Sequence, residues 1–305
     1  MIRKKSTYPK RLIFFDTETT QKQVHTITYQ IFKLACFQVY DREKIYAKKE
    51  EYYTFQKEEA QKYILSKILR KNTTYIISHN IVFDGTVVDL FKVLIQNHFR
   101  PTFFHQKGTT TILKFEGKRN EKLYILDSLN YIKLPLAIIG EAIGLPKLHI
   151  NFKTCSNSEL FLYCTRDTEI VAKAVSQLFN FIIQNRLGSI RTTIPAQAYE
   201  AYTKRFAKIP IQYQKDPTVQ VLERESYHGG RTECFFIGKK QEPVYLLDIN
   251  SLYPYILKTQ KLPYQYIFTS QNPSIEDLTS LAAKEYFAIA KVLINTNEPV
   301  YPYVL

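Results

Sequence analysis

The chain has 305 residues, and its 42 Lys and Arg against 28 Asp and Glu leave a formal net charge of +14. Hydrophobic residues make up 45% and charged residues 23%, the balance of a folded protein whose length fits about two domains. No run approaches the ~20 apolar residues of a membrane span. The basic start MIRKKSTYPKRL has no apolar stretch or cleavage site behind it, so secretion is not expected. Cys36, Cys155, Cys164 and Cys234 form no C-x-x-C pair, as expected of a reducing compartment. The positive charge suits a polyanionic partner, nucleic acid first. A single Met and no Trp stand beside 23 Tyr and 20 Phe; AT-biased composition and a gene that reads UGA as Trp both account for this.

Apolar Leu12–Phe15, running into Asp16, predicts a buried strand. The β-formers of Tyr29–Tyr40 predict a second and a third. Ala60, Ile64 and Ile68, with Leu65 and Leu69, recur at helical spacing and predict a helix over Lys57–Arg70. A short strand Tyr75–Ser78 leads into His79 and Asn80, and a helical pattern covers Val87–Asn97. Thr109–Phe115 and Lys122–Leu126 read as strands around a turn at Gly117, and a short helix ends at Gly144. The strongest helix starts at a Ser156 or Ser158 cap, carries Leu160, Val171, Val175, Leu178 and Ile182, and closes at Gly188. A helix near Ala196–Ala207 and Pro210 and Pro217 then read as a linker over 189–225. From Ser226 the pattern becomes strand-rich, with strands expected at Cys234–Ile237, Val244–Ile249 and Tyr286–Ile294.

Three short segments carry acids next to these elements. Asp16 and Glu18 share a strand face, because side chains two apart point the same way. Asp84, in His79-Asn80-Ile81-Val82-Phe83-Asp84, reads by itself as a cap for a helix beginning at Thr86. Tyr163 and Asp167 are four apart on the strong helix and so lie one turn apart on one face. Four acids beside buried elements, far apart in sequence, are what a pair of divalent cations in a phosphodiesterase site requires.

In this order the segments resemble the proofreading 3′–5′ exonuclease domain of family B DNA polymerases, in particular the protein-primed branch of organelles, linear plasmids and viruses. The resemblance implies an α/β fold, a ribonuclease H-like exonuclease domain with a mixed sheet over 1–188. It implies two Mg²⁺ or Mn²⁺ ions held by Asp16, Glu18, Asp84 and Asp167, with Tyr163 orienting the attacking water. Thr19, His79, Asn80, Phe83, Ser128 and Leu129 match positions that hold the single-stranded 3′ end. Lys147, in a looser match, corresponds to a catalytic lysine.

Downstream, Tyr227-His228-Gly229-Gly230-Arg231 resembles the DNA-binding Y-x-G-G motif between exonuclease and polymerase domains. Asp248-Ile249-Asn250-Ser251-Leu252-Tyr253-Pro254 is similar to polymerase motif A, which implies a metal-binding Asp248 at a strand end and Tyr253 under the incoming sugar, beside Ser251 and Leu252. Residues 226–305 thus read as the start of a palm domain. Neither the lysine-bearing motif B nor the D-T-D motif C occurs after Pro254. One palm carboxylate cannot hold two metals, so nucleotide incorporation by this chain alone is not expected. The partners implied are DNA (single-stranded 3′ ends and primer-template), a terminal protein, and a separately encoded carboxyl-terminal half, with no membrane. A free-standing exonuclease on DNA or RNA and a non-catalytic DNA-binding remnant remain as alternatives. The compartment is intracellular, whether mitochondrion, cytoplasm or the host of a phage or plasmid.

Overall fold

A computed structural model describes residues 6–207, 214–230, 232, 234–293 and 295. The chain divides into two compact units, residues 1–208 and 209–305. Unit 1 is built on a seven-stranded mixed sheet, β1 (Arg11–Val24), β2 (Ile27–Arg42), β3 (Tyr46–Thr54), β4 (Thr73–Ser78), β5 (Arg100–Lys107), β6 (Thr110–Glu116) and β7 (Lys122–Asp127). The order across the sheet is β3-β2-β1-β4-β7-β6-β5. Only the central β1, β4 and β7 run parallel; the flanking strands pair antiparallel.

The central strands are buried on both faces, which is why they read as continuous apolar runs. On one face Ile13, Phe15, Ile76 and Ile125 pack with Ala60 and Ile64 of α1 (Lys57–Lys67), Ile81 of α2 (Ile81–Val87), and Leu90 and Leu94 of α3 (Leu90–Gln96). On the other face Leu12, Phe14, Ile77 and Leu126 pack with Val171, Val175, Phe179 and Ile182 of α5 (Asn157–Gln184). The short α4 (Leu136–Ala142) docks on α5 through Ile139 against Ile170 and Ala174. Ser156 caps α5: its hydroxyl accepts from the Glu159 N–H while the Glu159 carboxylate takes the Ser156 N–H, so two end donors that a helix leaves unpaired are satisfied.

Several expectations are corrected here. Tyr29–Tyr40 holds not two strands but part of one, because β2 continues unbroken through sixteen residues. The helix expected over Val87–Asn97 divides in two at Asp89, which takes a left-handed φ of 51°. Asp84 does not cap a helix from Thr86; it lies inside α2. Two edge strands escaped the sequence pattern. β3 carries Lys48, Lys49, Glu50 and Glu51, and β5 is exposed throughout, as edge strands that resist further pairing tend to be.

The compact unit runs on past Gly188. In α6 (Ile194–Ala201) the Glu200 carboxylate accepts from the Ser189 N–H (3.0 Å) and from Arg191, and Gln197 bridges Leu187 and Arg191.

Unit 2 contains α7 (Pro217–Ser226), α8 (Leu252–Thr259) and α9 (Ile275–Ala283) among its described residues, and no strand. The strands expected at Cys234–Ile237, Val244–Ile249 and Tyr286–Ile294 are not formed; Ile294 itself lies outside the described residues. Leu246 is 97% exposed. A strand needs a neighbour for its backbone N–H and C=O groups, and none among the described residues of this unit supplies one.

Phe179 fills the centre of the α5 face, with ring centroids 5.9 Å from Tyr46, 6.4 Å from Tyr75 and 5.1 Å from Tyr131. Phe179→Ala is expected to destabilise unit 1 by about 3–5 kcal/mol, read as a lower urea midpoint.

Candidate active site

The parallel strands bring the candidate residues to one edge of the sheet. β1 and β4 pair in parallel, and so do β4 and β7, with Ser78 beside Asp127. The segments leaving the carboxyl ends of β4 and β7 are therefore adjacent, and Asp16 and Glu18 sit beyond the stretch of β1 that pairs with β4. In open α/β sheets this end is where ligands bind. Asp127, which the sequence did not single out, organises the edge. Its carboxylate accepts from the N–H groups of Asn80 (3.2 Å), Ile81 (3.1 Å) and Leu129 (2.9 Å), which ties the start of α2 to the turn after β7. Asn80 takes a left-handed φ of 75° there. His79 Nδ1 lies 2.8 Å from Ser128 Oγ, and Phe83 is partly exposed beside them on α2.

Asp16 and Glu18 stand together, and Asp84 and Asp167 are near enough for their charges to bear on both. One oxygen each of Asp16 and Glu18, and the Cys164 Sγ, lie within 4.8 Å of one another. Asp84 is buried and accepts from both the backbone N–H (3.0 Å) and the hydroxyl (2.6 Å) of Thr17, whose side chain alternates to the opposite face from its neighbours. Desolvation, then the charges of Asp84, Asp167 and Glu18, hold the Asp16 carboxyl well above the ordinary range. Burial, then the charge of Asp167, pushes Glu18 up to about 7. Burial likewise pushes Asp84 up to about 7, against the pull of the Thr17 hydrogen bonds. Burial raises Asp167 too, opposed by the ammonium of Lys147, which donates to its Oδ2.

The Asp167 Oδ1 is buried without a hydrogen-bond partner. A carboxylate oxygen left bare beside other acids is an open ligand position, and an all-oxygen set of this kind suits a hard divalent cation. Cys164 is a poor candidate for a third ligand. Burial raises its thiol, which therefore stays protonated and donates to the Asp16 carbonyl (3.5 Å). Lys147 Nζ also stands 4.6 Å from the centre of the Tyr163 ring, which Phe152 braces edge-on at 5.3 Å. Thr19 begins the exposed part of β1, and its hydroxyl donates to Gln30 (2.7 Å).

In unit 2, Asp248 is exposed and precedes α8, not at the end of a strand as expected. Ser251 takes a left-handed φ of 58°, and Leu252 and Tyr253 open the helix. A Cβ added at Gly230 would lie 2.6 Å from the Tyr253 hydroxyl, so the Y-x-G-G segment and the motif A segment approach each other closely, through the tip of an exposed tyrosine side chain. Tyr227 and Gly229 are exposed, and Arg231 lies outside the described residues.

Residues 147–305, more than half of the chain, match the family of type B DNA polymerases, organellar and viral. The chain belongs to that family. It is 28% identical over 165 residues to a DNA polymerase of Bacillus phage M2, and equally to one of Bacillus phage Nf. The alignment covers 49% of this chain and 27% of each relative, so the chain spans about a quarter of the length of those polymerases. Solved structures of Phi29 DNA polymerase, with primer-template DNA and incoming nucleotides and with single-stranded DNA, each match at a TM-score of 0.52 and 17% identity. They cover 74% of this chain and 40% and 41% of theirs. At that identity the likeness bears on the fold alone, an α/β fold with a mixed seven-stranded sheet.

The raised carboxyls make stability depend on pH. An unfolded chain releases these protons near pH 4, whereas the folded Glu18 and Asp84 keep theirs until about 7. The metal-free fold therefore loses stability as pH rises from about 4 through 7. In chelator at pH 8, Asp84→Asn, which still accepts from Thr17, is expected to raise Tm by about 2–4 °C. At pH 5 the gain should shrink; calorimetry at the two pH values checks it.

Proposed function

We propose that this chain is the amino-terminal portion of a protein-primed type B DNA polymerase and that unit 1 removes nucleotides from single-stranded DNA 3′ ends with two divalent cations. The observation that carries this reading is Asp16 and Glu18 side by side, under the charges of Asp84 and Asp167, with one Asp167 oxygen buried and unpaired. Four carboxyls raised by burial, Asp16 and Glu18 by the charge of neighbouring acids as well, are a costly arrangement in themselves, and divalent cations would relieve that cost.

Asp16, Glu18, Asp84 and Asp167 would hold the metals, Mg²⁺ or Mn²⁺. When bound, the metals would lower the pKa of a water and stabilise the leaving 3′ oxygen. Lys147, fixed against Asp167 and the Tyr163 ring, would offset charge developing on the scissile phosphate. The Tyr163 hydroxyl would hold the attacking water in line, a positioning task. His79, Asn80, Phe83, Leu129 and Thr19 would grip the terminal nucleotides, with the buried Ser128 holding His79 and Phe83 offering a ring face to any base.

The domain reading is an exonuclease over 1–188, a connection over 189–225 and the start of a palm over 226–305. There Asp248, Ser251, Leu252 and Tyr253 would belong to the nucleotide site, and Tyr227, Gly229, Gly230 and Arg231 to the template path. The phage origin of the two relatives fits a phage- or plasmid-encoded replication protein with primer-template DNA and a terminal protein as partners.

In Mg²⁺, the double variant Asp16→Ala/Glu18→Ala is expected to lose degradation of a labelled oligonucleotide down to the level seen with chelator, while its thermal transition persists. Undiminished cleavage would overturn the site assignment. Affinity for the oligonucleotide should fall with salt, with a slope of about −0.7 per phosphate contact. In primer extension with the purified chain, no templated product is expected; synthesis would show that the palm reading is wrong.

A further inference from the structure

Beyond Glu18 the strands β1 and β2 leave the body of the sheet as a two-stranded ribbon. Six residue pairs, from Thr19↔Phe32 to Val24↔Ile27, continue the ladder, a length of about 20 Å at ~3.4 Å per residue. From Thr20 to Ile31 every residue is exposed. The ribbon's two faces differ. Directly paired residues share a face, so Thr20, Lys22 and Val24 stand with Ile31, Tyr29 and Ile27 on one side, and Gln21 and Gln23 with Gln30 and Thr28 on the other. The first face is apolar, aromatic and basic; the second is amide and hydroxyl.

The register fixes where these faces lead. Glu18 pairs with Leu34, which packs with Leu160 and Cys164 on the α5 side. A bulge follows, and the next pair, Thr19 and Phe32, turns to the opposite side, where Phe32 packs on the cluster of α1 and α3. The pair after that, Thr20 and Ile31, is back on the side of Asp16 and Glu18. The apolar face is thus continuous with the carboxylate face. Lys33, the residue left over in the bulge, brings its positive charge to bear on Glu18.

Charge selects the occupant. Residues 19–33 contain Lys22, His25 and Lys33 and not one Asp or Glu. Tyr29 is 50% exposed, with Ile27 and Ile31 beside it at 56% and 44%. A stripe of ring and aliphatic surface flanked by lysines, leading into a cluster of acids, fits a strand whose bases are unpaired and whose backbone is anionic.

We propose that the Lys22–Tyr29–Ile31 face of this ribbon is a platform for single-stranded DNA, on which bases upstream of the 3′ terminus stack while the terminus enters the carboxylate site. The inference rests on the nuclease reading for its direction and on the ribbon alone for its binding surface.

The test compares Tyr29→Ser/Ile31→Ser with the opposite-face control Gln23→Ser/Thr28→Ser in the full chain. The first pair should weaken binding of a fluorescein-labelled oligothymidylate in chelator by about tenfold, the effect of losing one stacking contact, and the control should not. In Mg²⁺ the first pair should raise KM on the oligonucleotide, while hydrolysis of thymidine 5′-p-nitrophenyl phosphate, which is too small to reach the ribbon, stays at the parent rate. Equal effects of both pairs, or no effect on binding, would overturn the proposal. A change from dimer to monomer with DNA binding intact would also overturn it, since the face would then be a contact between copies. Should the first pair fail to fold, Lys22→Glu, a single surface change, is expected to show the same loss. If the parent chain cleaves neither substrate, the nuclease reading fails, and the binding comparison still judges the ribbon.

Discussion

Like charges brought together out of water are the constraint around which unit 1 is arranged. Asp16, Glu18, Asp84 and Asp167 come from β1, α2 and α5, elements with no reason to meet except the sheet and helix that carry them. Their mutual repulsion is offset within the chain by Lys147 and by the Thr17 donors. The surroundings are correspondingly stiff: β1 is clamped between two hydrophobic layers, α5 is capped at its start, and Asp127 fastens α2 to β7. Each holds one acid against a force that would separate them.

The same region separates side chains that are buried in its hydrogen bonds from side chains that stay open to solvent. Thr17 and Asp127 are buried and spend their hydrogen-bonding capacity inside the protein. Phe83, Thr19 and Tyr163 stand around them with part of their surface open. A rigid inner layer of hydrogen bonds beneath more accessible side chains is the arrangement that would hold reacting groups in place.

The parts legible in the sequence were those with a strong period or a fixed spacing. β1, β4 and β7 are buried on both sides and announce themselves as apolar runs; α5 shows its capping serine and its helical stripe. The acids could be grouped because each lies in or next to such an element. Thr17 and Asp127 could not, because their roles depend on partners 67 and 46 or more residues away, which no local pattern reports. The edge strands β3 and β5 hid behind charged and exposed side chains, since an edge needs no apolar face to pair on one side. Unit 2 failed in the opposite direction. Val244–Leu247 has a strand's composition, yet composition supplies only half of a ladder, and the described residues of that unit hold no second half.

The bulge between Glu18 and Thr19 separates two kinds of register. On its inner side, slipping β2 by one residue would turn Leu34 and Cys36 out of the core, so that segment cannot change length. On its outer side, from the pair of Thr20 and Ile31 onward, every residue is exposed. Insertions or deletions there, made in matched pairs, would lengthen or shorten the projecting hairpin and leave every acid where it is. The bulge is therefore a joint: it separates a segment whose length is fixed by the core from a hairpin whose length could change without moving the β1 carboxylates.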